Sequence, residues 1–138
     1  MASLIYNSGL DDIFRGNIVP SSDTFKVMLV TSAYTPNKDT HTKRSDVTNE
    51  VTGTGYSAGG AAATVTVTKD TANDRIDVSL GGASWPTATI TARAAVYYKS
   101  RGGASSADEL VAYIDFGSDV TSTAGTFALT ASTLRLQN

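Results

Sequence analysis

Between Ala62 and Phe116 the chain falls into stretches whose apolar residues recur at every second position: Val65 and Val67 alternate with Thr64, Thr66 and Thr68, and Ile76, Val78 and Leu80 with Arg75, Asp77 and Ser79. A period of two gives each strand one face for a core and one for water or a partner, which predicts layered antiparallel sheet. Strands are expected over residues 62–69 and 75–80, joined as a hairpin through Asp70-Thr71-Ala72-Asn73-Asp74. In Phe25-Lys26-Val27-Met28-Leu29-Val30 both faces turn apolar after Lys26, so the strand expected over 25–32 is covered on each side. A strand over 89–98 places Ile90, Ala92, Ala94, Val96 and Tyr98 on one face. Another, over 110–116, turns Leu110, Ala112, Ile114 and Phe116 inward. Trp85-Pro86 reads as a connection between strands, with the indole capping one end of the core. After Gly117-Ser118-Asp119 the chain returns over 126–130, and residues 134–138 read as a last strand held in a sheet of its own molecule or a neighbour.

The 3.6-residue period surfaces once. Ser8 reads as the cap of a short helix over Gly9 to Arg15, in which Leu10, Ile13 and Phe14 pack over one end of the sheet; Gly16 and Asn17 stop it. Seven or eight short strands with Gly, Asn and Asp turns and one N-terminal helix predict an all-β fold. The architecture expected is an antiparallel β-sandwich or jelly-roll-like module, one domain over residues 1–138.

The longest stretch without a period runs from Ala33 to Asn49. Loops of that length are uncommon inside a compact domain, so this one reads either as a contact loop or as a surface excursion with a turn of helix near Ser45 to Val47. Four glycines between Gly53 and Gly60 imply turns, a bulge or close backbone approach.

Composition narrows the function classes. The chain is 41% hydrophobic and 17% charged, a folded composition whose polar surface must be largely Thr, Ser and Asn. With a net charge of −2 and eleven scattered basic residues it lacks the positive stripe that phosphate binding needs, so no nucleic-acid partner is expected. The absence of cysteine removes disulfides, thiolate metal sites and cysteine nucleophiles. The N-terminus lacks the basic and apolar segments of an export signal and no apolar run is long enough to cross a bilayer, so the expectation is synthesis in the cytosol without a membrane partner.

Candidate chemistry is sparse. His41 is the only histidine, and with Asp39 and Asp46 in a Lys- and Thr-rich loop it makes a poor metal site, so no metal or cofactor is expected. No Gly-x-Ser-x-Gly elbow accompanies it, which leaves serine catalysis without its nucleophile. Paired carboxylates for glycoside hydrolysis stay open, since separation in space is not written in a sequence; Asp108, Glu109, Asp115 and Asp119 sit where strand ends and turns already favour acids. Gly53-Thr54-Gly55-Tyr56-Ser57-Ala58-Gly59 has the wrong spacing for a dinucleotide loop, and Asp115-Phe116-Gly117 has none of the companions of a kinase metal motif.

The run Phe25 to His41, followed by Asp46-Val47-Thr48-Asn49-Glu50-Val51 and Gly53-Thr54-Gly55-Tyr56, resembles a family of small tailed-bacteriophage structural proteins. The likeness continues through Thr89 to Lys99 and Tyr113-Ile114-Asp115-Phe116-Gly117. The resemblance implies a non-enzymatic virion component made in the host cytoplasm, a capsid decoration or cement protein. Its implied partners are the major capsid protein or other virion proteins, and sister copies in a homo-oligomer. On that reading the loop from Tyr34 to Thr48 and the chain termini make the contacts, with Tyr34, His41, Lys43 and Arg44 as contact residues. Two other classes stay open: a tail, collar or fibre-associated adhesion module binding host glycans through exposed aromatics such as Tyr56 or Tyr97, and a cell-wall hydrolase with two convergent acids of raised proton affinity.

Overall fold

The computed structural model describes residues 2–138. Eight strands form two antiparallel sheets: β1 (Leu4–Ile5), β2 (Phe25–Val30), β3 (Ala61–Ala63), β4 (Val65–Asp70), β5 (Arg75–Leu80), β6 (Ala83–Lys99), β7 (Leu110–Leu129) and β8 (Ser132–Gln137). One sheet has the order β1-β7-β6-β2-β3 and the other β4-β5-β8. The single helix, α1, spans Asn7–Arg15. An all-β module with one short N-terminal helix is therefore what the alternating pattern builds.

The two sheets are joined through three corners. β3 continues into β4 across Thr64, β5 into β6 across Gly81 and Gly82, and β7 into β8 across Thr130 and Ala131. Because β5 pairs with β8 and β6 with β7, these four strands are one two-stranded ribbon folded at its corner, the device by which sandwiches pass strands between layers. Glycine is required there. A Cβ on Gly81 would lie 2.6 Å from the Thr64 carbonyl oxygen, and one on Gly82 would collide with that of Leu129.

β6 also curls. The Tyr97 hydroxyl donates to the Gly81 carbonyl at 2.9 Å although the two are 16 residues apart, a separation of about 50 Å along a straight strand. The bending comes from register shifts between Trp85 and Ala88, Ala88 and Ile90, Ala92 and Ala94, and Tyr97 and Tyr98. Trp85-Pro86 thus lies inside β6 and not between strands, with Pro86 at a bulge where its missing N–H is tolerated. The indole is buried in the core, edge-on to Phe127 and tilted against Tyr56. The strands expected over 110–116 and 126–130 are one strand, β7, with residues 116–119 bulging opposite Arg93.

These bulges redistribute the faces. The main core lies between the sheets and gathers Phe25, Val27, Leu29, Leu80, Trp85, Ile90, Ala92, Ala95, Tyr97 and Phe127, with Val65, Val78 and Leu134 of the small sheet packed on it. A second core covers the opposite face of the large sheet, with Tyr6, Met28, Val30, Tyr34, Ala94, Val96, Tyr98, Leu110 and Tyr113. The single face expected from Ile90 to Tyr98 is therefore split: Ile90 and Ala92 enter the main core, and past the bulge Ala94, Val96 and Tyr98 enter the second. Leu110 likewise parts from Ala112, Ile114 and Phe116, because two residues of β7 oppose one of β6 at Val111. The two-sided burial expected for β2 is present in full, with Val27 and Leu29 in one core and Met28 and Val30 in the other.

α1 begins at Asn7 after Tyr6, without a side-chain cap, so Ser8 lies inside it. It lies against β7 through Gly9, whose absent Cβ would stand 2.8 Å from the Leu110 carbonyl oxygen. That seating turns Phe14 outward, 74% exposed, in place of the expected packing, while Gly16 ends the helix in the left-handed region.

Candidate functional site

Residues 33–49 form a folded cover over the second core. Tyr34 lies beneath it, only 4% exposed, and its hydroxyl pairs with that of buried Tyr6 at 2.9 Å and with His41 Nδ1 at 2.8 Å. The Tyr34 and His41 rings stack, with centroids 5.7 Å apart. The Asn37 N–H also donates to His41 Nδ1, so that nitrogen is an acceptor and the ring proton sits on Nε2. The Tyr34 hydroxyl then donates to His41 and accepts from Tyr6. Burial, followed by the hydrogen bond to Tyr34, pushes the Tyr6 hydroxyl far above the ordinary tyrosine value; Tyr34 is raised chiefly by burial.

Short polar residues make the turns. The Asn37 side-chain oxygen accepts the N–H groups of Asp39 and Thr40 and its carbonyl accepts that of His41, while Asn7 of α1 donates through Nδ2 to Asp39 at 2.6 Å. Asp46, ending a 3₁₀ turn over Arg44–Asp46, accepts the N–H groups of Thr42 and Lys43 through one carboxylate oxygen. Those two backbone bonds, in that order, hold its carboxyl below the usual range.

The loop is fastened to the sheet at its far side. Lys43 bridges Glu109, the Arg44 N–H donates to the Asp108 carbonyl, and the Leu110 N–H donates to the Thr42 carbonyl. Arg44 Nε reaches buried Asp108 at 2.8 Å, and its guanidinium stands 5.1 Å from the centre of the Tyr98 ring. The other Asp108 oxygen accepts the Arg101 N–H, and Arg101 holds Glu109 through two bonds of 2.8 and 2.6 Å.

The four residues expected to make contacts are thus brought together, but chiefly to hold the cover down. Tyr34 is buried, His41 and Arg44 are half-buried and bonded inward, and Lys43 is half-buried on the edge that meets Glu109. What the cover presents outward is Thr35, Asn37, Lys38, Asp39, Thr40 and Ser45. All six lie within the contact loop expected from Tyr34 to Thr48, but none is among its four expected contact residues, although short polar residues of this kind are a legible sign of an exposed turn.

The other candidate groups sit as follows. Glu109 is held low by Arg101, and Asp115 by the Gly117 N–H, the reverse of the raised proton affinity an acid catalyst needs. Tyr97 is fully buried, with its hydroxyl pushed up to about 12 by burial. Tyr56 is half-buried, its hydroxyl donating to Glu50 at 2.6 Å and accepting the Leu29 N–H. Neither ring stands free in a groove, as glycan stacking would require. An open groove of about 320 Å³ does exist, lined by hydroxyls of Thr31, Thr52, Thr89, Thr91 and Thr121 with Glu50 at one side. Among the described residues no group of three metal-ligating side chains converges, and no helix is long and apolar enough to cross a membrane.

No family model, curated protein or solved structure matches the chain.

Proposed function

We propose that the protein is a non-enzymatic virion structural protein that decorates the head of a tailed phage, seating on the major capsid protein and strengthening the shell. The resemblance of Phe25 to His41, Asp46 to Val51, Gly53 to Tyr56, Thr89 to Lys99 and Tyr113 to Gly117 supplies the class. The observation that carries the decoration role is the cover over residues 33–49, which presents a fixed polar surface. Its backbone is pinned by Asn37, Asp46 and the Arg44–Asp108 pair, so docking would order little further chain. Many copies of such a modest contact hold a lattice by multivalence. A tail, collar or fibre adhesion module is the second reading, favoured only by the threonine-lined groove.

Because the cover forms half of a core, the test uses outward substitutions and leaves the loop in place. Purified empty shells mixed with a Lys38→Glu, Thr40→Arg, Ser45→Arg triple variant of native stability should take up at least roughly tenfold less protein than with the parent chain. Equal uptake overturns the assignment of this surface.

A further inference from the structure

Among the described residues, β4 offers a long, regular strand edge, with Lys69 near one end as its one charged residue besides the terminal Asp70. β4 ends the three-stranded sheet, contains no proline, glycine or bulge, and carries Val67 at 42% exposure on its core-side face. We infer that β4 is a homodimer edge, pairing antiparallel about a two-fold axis with β4 of a second copy, centred on Val67. This goes beyond the capsid role and does not rest on it, since it needs only the chain itself.

The hydrogen-bond phase of the strand fixes the register. The Gly81 N–H donates to the Thr64 carbonyl at 2.7 Å, in step with the pairing of Val65 with Leu80. Alternation then directs the N–H and C=O groups of Thr66, Thr68 and Asp70 toward β5, and those of Val65, Val67 and Lys69 outward. A two-fold at Val67 makes Val67 opposite Val67 a hydrogen-bonded pair and sets Val65 opposite Lys69 on both sides, satisfying all the outward groups of the three residues in each copy. Side chains agree with that register. Thr66 faces Thr68 of the other copy, a favourable cross-strand pair, and the Lys69 stem lies over the other copy's Val65 with no like charge opposite it.

The same reasoning disfavours the other open edge. The Asn138 N–H donates to the Asp74 carbonyl, in step with Arg75 opposite Gln137, so Thr133, Arg135 and Gln137 point their backbone groups outward from β8. Its longest self-pairing would set Arg135 against Arg135, a repulsion on the axis itself.

Sedimentation of the full chain over micromolar to millimolar concentration should show a monomer–dimer equilibrium. Val67→Pro deletes an N–H that the monomer does not use and should weaken association by at least roughly tenfold, through two lost hydrogen bonds. Val67→Lys, which leaves the backbone untouched should the proline variant fail to fold, places like charges across the axis and should do the same. In a chain without native cysteine, Val67→Cys should oxidise to a covalent dimer while Leu136→Cys, at a position somewhat more exposed, stays monomeric. A chain that stays monomeric throughout, a dimer undiminished by Val67→Lys, or faster cross-linking through Leu136→Cys overturns the inference.

Discussion

At the scale of single residues, Tyr6, Tyr34, Asp108 and Glu109 all have partners inside the fold, and those partners explain the sparse chemistry. Tyr34 could read as a contact residue from the sequence because an aromatic in a long polar loop has no visible partner; its partners Tyr6 and His41 lie 28 residues before and 7 after it. Asp108 reads only as an acid at a strand end because its partner Arg44 is 64 residues distant in sequence, whereas the partner of Glu109, Arg101, is 8 residues away. Glu109 gives the clearest titration. Its carboxyl is held below the ordinary 4.5 by the Arg101 hydrogen bonds, so its contribution is whole above that pH and is lost as pH falls through the depressed folded value. Glu109→Gln should lower Tm by roughly 3–8 °C at pH 7. The gap between variant and parent should narrow as thermal melts are repeated at successively lower pH, as the Glu109 carboxyl is protonated through its depressed folded value and both side chains become neutral.

Among the elements, the doubly buried β2 and the hairpin of β4 and β5 are legible in the sequence, but the strand expected over 62–69 is broken at Thr64 into β3 of the large sheet and β4 of the small one, because nothing in Ala62-Ala63-Thr64-Val65 interrupts the pattern where the chain changes sheets. β6 and β7 were legible only in pieces. A bulge redirects the side chains beyond it; opposite Arg93 the extra residues are 116–119 of β7, where Gly117 reads in sequence as the end of a strand, and between Tyr97 and Tyr98 the extra residue is Val111, with no glycine or proline to announce it. The corner at Gly81 and Gly82 carries a glycine pair, which marks the end of a strand, yet its partner corner at Thr130 and Ala131 has no such residue, so the continuous ribbon is not legible in the sequence. Its dependence on glycine is testable by chemical denaturation. Gly82→Ala drives a methyl into the Leu129 carbonyl and should cost about 2–4 kcal/mol, whereas Gly103→Ala meets nothing within 4 Å and should be neutral or stabilising by up to about 1 kcal/mol.

For the molecule as a whole, one sheet separates two cores, and β2 inserts alternate residues into each. A cover that folded independently would be a loop; a cover sharing β2 and β6 with the main core must melt with it. Met28→Ala, in the second core, should destabilise by about 2–5 kcal/mol, and the loss should appear undiminished in the fluorescence of Trp85, which lies in the main core. A Trp85 transition unmoved by that change would show two separable units.

The ribbon that passes between the sheets also governs when such a chain can fold. Leu4 finds its strand partner in Tyr113, and β8 meets β5 only at the far end of the chain, so neither β1 nor the folded ribbon can close until the ribosome has delivered β7 and β8, although β2 can already pair with β3 and β6. Such distant pairings slow the search to milliseconds or longer. During that interval the run Val27-Met28-Leu29-Val30 lies uncovered on both sides, which makes nascent-chain protection, more than finished stability, the step that sets how many copies are obtained.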